Sequence, residues 1–121
     1  MSWRLKMREI KFRAWLQYSN QMINNAFMMR NDGVADFGSG GYGVLMQYTG
    51  LKDSKGKEIY EGDIVNFVTY EEEKLEVYWY NETCGWQMKR IVGSGTMFIP
   101  NYTDYLEVIG NIYENPELLE V

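Results

Sequence analysis

From Val44 onward the chain keeps no hydrophobic period long enough for a helix of ordinary length. "VLMQYT" (44–49), "IVNFVTY" (64–70), "LEVYWY" (75–80), "WQMKRIV" (86–92) and "YLEVIGNIY" (105–113) are short apolar or alternating runs. Turn signals separate them: "KDSKGK" (52–57), "EGD" (61–63), "EEEK" (71–74), "NETCG" (81–85) and "GSG". "EIY" (58–60) pairs briefly between the first two. A chain cut in this way buries its apolar faces by stacking strands, as in a small barrel. Ten Tyr, five Phe and four Trp agree, because aromatic rings fit a pleated, half-buried surface. The expected fold class is mainly β. Within 75–80, Leu75, Val77 and Trp79 share one face and are expected in the core. Tyr78 and Tyr80 share the other face with Glu76.

The front of the chain reads differently. "REIKFRAW" (8–15) alternates as a half-buried strand, with Ile10, Phe12 and Ala14 on one face and Lys11, Arg13 and Trp15 on the other. "LQYSNQ" is a turn, and "MINNAFMMR" (22–30) reads as a short strand and loop. "NDGVADFGSGGYG" (31–43) holds five Gly and is a loop. Gly38, Gly40 and Gly43 fall on the G-x-G-x-x-G spacing of a dinucleotide loop. That loop works only between a strand and a helix whose N-terminus holds the pyrophosphate. Here a poor strand precedes and a short apolar run stopped by Gly50 follows, so a flexible connector is expected. A boundary near residue 43 divides a front region (1–43) from the barrel (44–121), the two forming one compact unit. In the tail, Asn115, Pro116 and Glu117 form a helix-start signal with room for about one turn.

Composition narrows the chemistry. Histidine is absent, which removes the commonest general base and metal ligand together. A single cysteine, Cys84, cannot form an internal disulfide and suits a reducing cytosol. As a nucleophile it would lack an imidazole partner, so an incidental turn cysteine is expected. Glu71, Glu72 and Glu73 fit a hard cation by chemistry, but neighbours on a strand end point to opposite sides, and a solvated hairpin tip is expected. No apolar run approaches the ~20 residues of a membrane span. No catalytic set, metal site or cofactor is expected, and no membrane partner.

Charge is uneven. Residues 1–57 hold nine Lys/Arg against four Asp/Glu, while residues 58–121 hold three against thirteen. A basic front and an acidic back attract each other, within one fold or between subunits. Arg8, Lys11, Arg13 and Trp15 therefore carry two readings. They pack against the acidic half, or they form a basic, aromatic surface on which single-stranded nucleic acid stacks. Tyr78 and Tyr80 fit a partner surface, where Tyr is favoured, or ordinary solvated positions.

Three blocks, "MREIKFRAW" (7–15), "LMQYTGLKDSKGKEIYEGDIV" (45–65) and "EVIGNIYENPELL" (107–119), are similar to the YopX protein family of bacteriophages and prophages. The resemblance implies Met7 as the usual start, a phage or prophage gene expressed in the bacterial host cytoplasm, and an SH3-like barrel in the C-terminal part. It brings no activity or ligand. In the matching blocks Gly50, Gly56, Gly62 and Gly110 are expected at turns or bulges, and Ile59, Ile64, Val65, Val108 and Ile112 in the core. Lys52, Asp53 and Glu61 are expected at the surface, where function would lie. The function expected is a non-enzymatic interaction or accessory protein that binds a host or phage protein or itself. The alternative is a nucleic-acid-binding accessory protein using the basic N-terminal strand.

Overall fold

The computed structural model describes residues 9–24, 34–36, 42–68 and 73–120. It is mainly β, with curled sheets forming a half-barrel. Ten strands are described: β1 (Phe12–Leu16), β2 (Gln21–Asn24), β3 (Val34–Asp36), β4 (Tyr42–Lys52), β5 (Glu58–Tyr60), β6 (Asp63–Phe67), β7 (Lys74–Tyr80), β8 (Gly85–Arg90), β9 (Thr96–Phe98) and β10 (Leu106–Asn111). One sheet runs β2-β1-β4-β3, with β5 also on β4; the other runs β10-β6-β7-β8-β9. All pairings are antiparallel. No helix among the described residues is long and apolar enough to cross a membrane.

The long strand β4 links the two halves. Its first part pairs with β1 and β3 through Gly43 and Val44; its last part pairs with β5, with a register shift between Tyr48 and Lys52. Gly50 sits in that irregular stretch at φ 84°, a left-handed conformation that only glycine adopts cheaply. Gly43 thus lies inside a strand and does not open a helix, which removes the dinucleotide geometry. Gly38 and Gly40 lie outside the described residues.

The core belongs to the second sheet and to what covers it. Val65, Phe67, Leu75, Val77, Met88, Leu106 and Val108 are buried together with Ile59 of β5 and Ile99 of a short 3-10 turn. Leu51, Trp86, Met97 and Tyr102 pack around them. Leu75 and Val77 are buried as their alternation predicts, and so are Ile59, Ile64, Val65 and Val108. Ile112 is only half-buried.

Several expectations need correction. Trp79 is 41% exposed and is not a core residue. The last β6 partner of β7 is Ile64, opposite Glu76, so Trp79 projects on a part of the hairpin that pairs only with β8. Asp53 is buried and not a surface residue. The stretch 31–43, expected as a loop, contains β3 and the start of β4, and "TMF" forms β9, which no periodic pattern announces. The runs 64–70, 86–92 and 105–113 give shorter strands, β6, β8 and β10. The tail makes one 3-10 turn, Pro116–Leu119, with no side-chain cap from Asn115. Instead Asn115 Oδ1 accepts the backbone N–H of Asn111 at 3.2 Å. On β1, Ala14, Trp15 and Leu16 are all buried, because the strand is covered on both faces rather than one.

Candidate functional site

The central block of the sequence, residues 45–65, folds into β4, a turn, β5 and the start of β6, and most of its polar groups are used to hold that shape. Thr49 Oγ1 donates to the carbonyl of Ile59 at 2.7 Å and accepts from the N–H of Leu51. Asp53 Oδ1 accepts the N–H groups of Lys55 and Lys57, both at 2.9 Å, and Oδ2 accepts that of Val108 at 2.9 Å. Asp63 Oδ2 accepts the N–H of Tyr60 at 2.8 Å. These carboxylates are committed to backbone donors, which is what stabilises a buried charge.

The basic residues of β1 are also used inside the fold. Arg13 Nη2 lies 2.6 Å from Asp63 Oδ1, and its guanidinium sits 4.7 Å from the Tyr60 ring centroid. Lys11 pairs with Glu58 and with Glu9, and lies 4.9 Å from the Tyr48 ring. Those two hydrogen bonds, to Glu58 and then Glu9, raise the Lys11 ammonium above the ordinary lysine range. Trp15 is buried and stacks on Tyr113, with ring centroids 6.1 Å apart. Arg13 and Trp15 therefore face the interior, in keeping with the reading in which the basic front meets the acidic back. Arg8 lies outside the described residues.

Glu61 is different. It follows β5, and its backbone N–H donates to the carbonyl of Gln47 at 2.9 Å. The N–H of Gln47 returns to Glu61 Oε1 at 3.4 Å. Arg13 Nη2 donates to the Glu61 backbone carbonyl at 3.5 Å, but no described Lys or Arg pairs with its carboxylate. Burial pushes its carboxyl above the usual carboxylate range, and the Gln47 N–H only partly opposes this. Glu61 borders two clefts. The larger, about 320 Å³, is lined among the described residues by Gln47, Glu61, Trp79 and Trp86. The smaller, about 140 Å³, includes Glu61, Glu76, Tyr78 and Tyr113. Of the β7 residues, Trp79 lines the larger cleft, and Glu76, Val77 and Tyr78 line the smaller. Trp79 and Trp86 are cross-strand partners whose rings meet edge to face, with centroids 5.0 Å apart and planes at 71°.

The other face of the β7–β8–β9 end is aromatic too. Tyr78 and Tyr80 meet at 6.2 Å, Lys89 lies 5.1 Å over the Tyr78 ring, and the Tyr78 hydroxyl pairs with Gln87. Tyr80 donates to Glu82 at 2.7 Å. Phe98 is 45% exposed and lies over Gly85, where a Cβ would come within 2.8 Å of its ring. The structure thus brings Tyr78 and Tyr80 together.

Cys84 is exposed in the turn before β8, with its thiol 3.4 Å from the carbonyl of Asn81. Glu73 pairs with Arg90 at 2.6 Å, while Glu71 and Glu72 lie outside the described residues. Trp86, Phe98 and the Gln47–Glu61 pairing were not singled out from sequence. The cross-strand position of Trp86 opposite Trp79 was the signal available for the first of these.

Comparison with known proteins places this architecture. No curated protein matches the chain. Among solved structures it is similar to the crystal structure of protein EF1440 from Enterococcus faecalis, at 28% identity and a TM-score of 0.67, covering 94% of this chain and 100% of that one. A family model described as YopX protein matches residues 11–120, from the residue before β1 to the end of the tail. The chain belongs to the YopX protein family.

Proposed function

We propose that the chain is a non-enzymatic interaction protein, binding another protein or itself through the aromatic end of the β7–β8 hairpin. The observation that carries this is the aromatic character of both faces of that hairpin end. Trp79 and Trp86 stand on one face, Tyr78, Tyr80 and Phe98 on the other, and Trp79 and Phe98 are exposed. Trp and Tyr concentrate at interface hot spots, because each buries a large area while losing few rotamers. The absence of histidine supports a binding role over a catalytic one.

The finer architecture is read in the same way. Residues 44–121 are taken as an SH3-like small barrel, supported by Leu51 and Ile59, which leave the first sheet to enter the core of the second. Family membership supports a phage or prophage gene product acting in the bacterial host cytoplasm.

The test is a tagged pull-down from phage-producing host lysate, split into untreated and nuclease-treated halves. A specific protein partner that survives nuclease and is lost on Tyr80→Ala/Phe98→Ala or Trp79→Ala supports the proposal. Partners that vanish with nuclease transfer the function to nucleic acid, which would then have to bind without Arg13 and Trp15, since both are taken up inside the fold. No partner in either half removes the proposal.

A further inference from the structure

The protein builds the same kind of socket twice for its own cations. Asp63 and the Tyr60 ring together hold the Arg13 guanidinium. Glu58 and the Tyr48 ring together hold the Lys11 ammonium. Each combines a carboxylate with an aromatic face, the two groups that attract an organic cation most strongly.

A third carboxylate meets aromatic rings at the larger cleft, where Glu61, Gln47, Trp79 and Trp86 line about 320 Å³. No described Lys or Arg pairs with the Glu61 carboxylate, Arg13 Nη2 meeting only the backbone carbonyl of that residue, at 3.5 Å. We infer that this cleft is a socket for an arginine side chain presented by a partner protein. The inference rests on the interaction role proposed above and names the chemistry of its partner.

The geometry suits a guanidinium. The two indoles stand at 71° with centroids 5.0 Å apart, so one ring can lie flat against the planar cation while the other walls its edge. The Glu61 carboxylate accepts a forked pair of N–H donors, and the Gln47 amide oxygen can take a third. Glu61 is held in place by the two-way pairing with the Gln47 backbone, so little ordering is needed on binding. An ammonium would satisfy the charge but not the planar fork. Burial already disfavours the ionised Glu61, and a cation beside it would reverse that preference.

The experiment uses the full chain with three acetylated, amidated tripeptides, Gly-Arg-Gly, Gly-Lys-Gly and Gly-citrulline-Gly, citrulline being the uncharged isostere of arginine. Indole N–H resonances of Trp79 and Trp86 are followed by NMR during titration to about 10 mM, the range of a weak single-side-chain contact. The expected result is saturable movement of both indoles with the arginine peptide, weaker movement with lysine, and none with citrulline. Glu61→Gln should weaken arginine binding at least about tenfold while the remaining spectrum keeps its dispersion. Citrulline binding as well as arginine, an unchanged affinity in Glu61→Gln, or no movement of either indole would overturn the inference. A pull-down partner retained by Glu61→Gln but lost on Tyr80→Ala/Phe98→Ala would overturn it while leaving the interaction role standing.

Discussion

Arg13 Nη2 stands 2.6 Å from Asp63 Oδ1, joining the second residue of β1 in one sheet to the first residue of β6 in the other. Both side chains are largely buried, at 11% and 2% exposure. Removing one partner of such a pair leaves an uncompensated buried charge, which costs about 3–5 kcal/mol. Asp63→Ala is expected at the upper end, because the Tyr60 N–H also loses its acceptor. Replacing both, as in Arg13→Met/Asp63→Leu, should recover part of the loss. Urea unfolding of the three forms checks this; equal stability of Asp63→Ala and the parent would refute it.

Asp53 fastens the turn between β4 and β5 to the outer side of β10. Its two oxygens accept three backbone N–H groups, of which that of Val108 is buried. Asp53→Ala should cost about 3 kcal/mol, since the buried Val108 donor is left unsatisfied and two turn N–H groups lose their acceptor. Asp53→Asn should cost less, because the amide keeps one accepting oxygen and offers a donor where the other was. Hydrogen exchange at Val108 is the local readout, and it should speed up in both variants.

Glu61 gives a pH-dependent prediction. Burial raises its folded-state carboxyl above the unfolded value, so the folded protein takes up this proton first on acidification. Between the unfolded and folded values the native state binds more protons, and stability falls as pH rises through that window. At neutral pH the ionised form is therefore a cost. Glu61→Gln should stabilise by up to about 1 kcal/mol at pH 7, with the gain disappearing below the ordinary carboxylate range. Thermal melts of both proteins across pH 4–8 decide it. A loss of stability in the variant at pH 7 would count against the assigned direction.

Gly62, in the turn before β6, has φ 85°, and a Cβ there would stand 3.1 Å from Met46 Sδ. Gly62→Ala combines a left-handed alanine, costing about 1–2 kcal/mol, with pressure on a fully buried methionine. Gly56 has nearly the same φ but nothing within 4 Å of its Cβ position. Gly56→Ala should therefore cost only the conformational part. A smaller loss in Gly62→Ala than in Gly56→Ala would contradict this ranking.

Local pattern was legible where the physics was local. Alternation placed Leu75 and Val77 in the core, and it put Tyr78 with Glu76 on the opposite side of β7. Trp79 obeys the same alternation, yet it is exposed, because alternation carries no information about where the neighbouring strand stops. The D-x-x-G spacing of Asp53 and Gly56 marks a turn. The third bond of Asp53, to Val108, spans 55 residues and leaves no local trace. Charge asymmetry offered the meeting of basic front and acidic back as one of two readings, and gave no sign that Arg13 chooses Asp63 or Lys11 chooses Glu58. The three residues of β9 are too few to display a period. Glu61 stood among several polar positions of one block, and only the hydrogen bonds of its neighbours single it out.

The turn that Asp53 organises also settles how the second sheet can grow. Along the outer side of β10, the Leu106 carbonyl receives Ser54, the Val108 N–H goes to Asp53, and the Asn111 N–H goes to Asn115. That border is sealed by the chain itself. The opposite border, β9, is three residues long. A sheet stopped on one flank behaves as a chain terminator: a second molecule pairing edge to edge at β9 completes a closed pair, and this sheet then has no border left in either copy from which to grow.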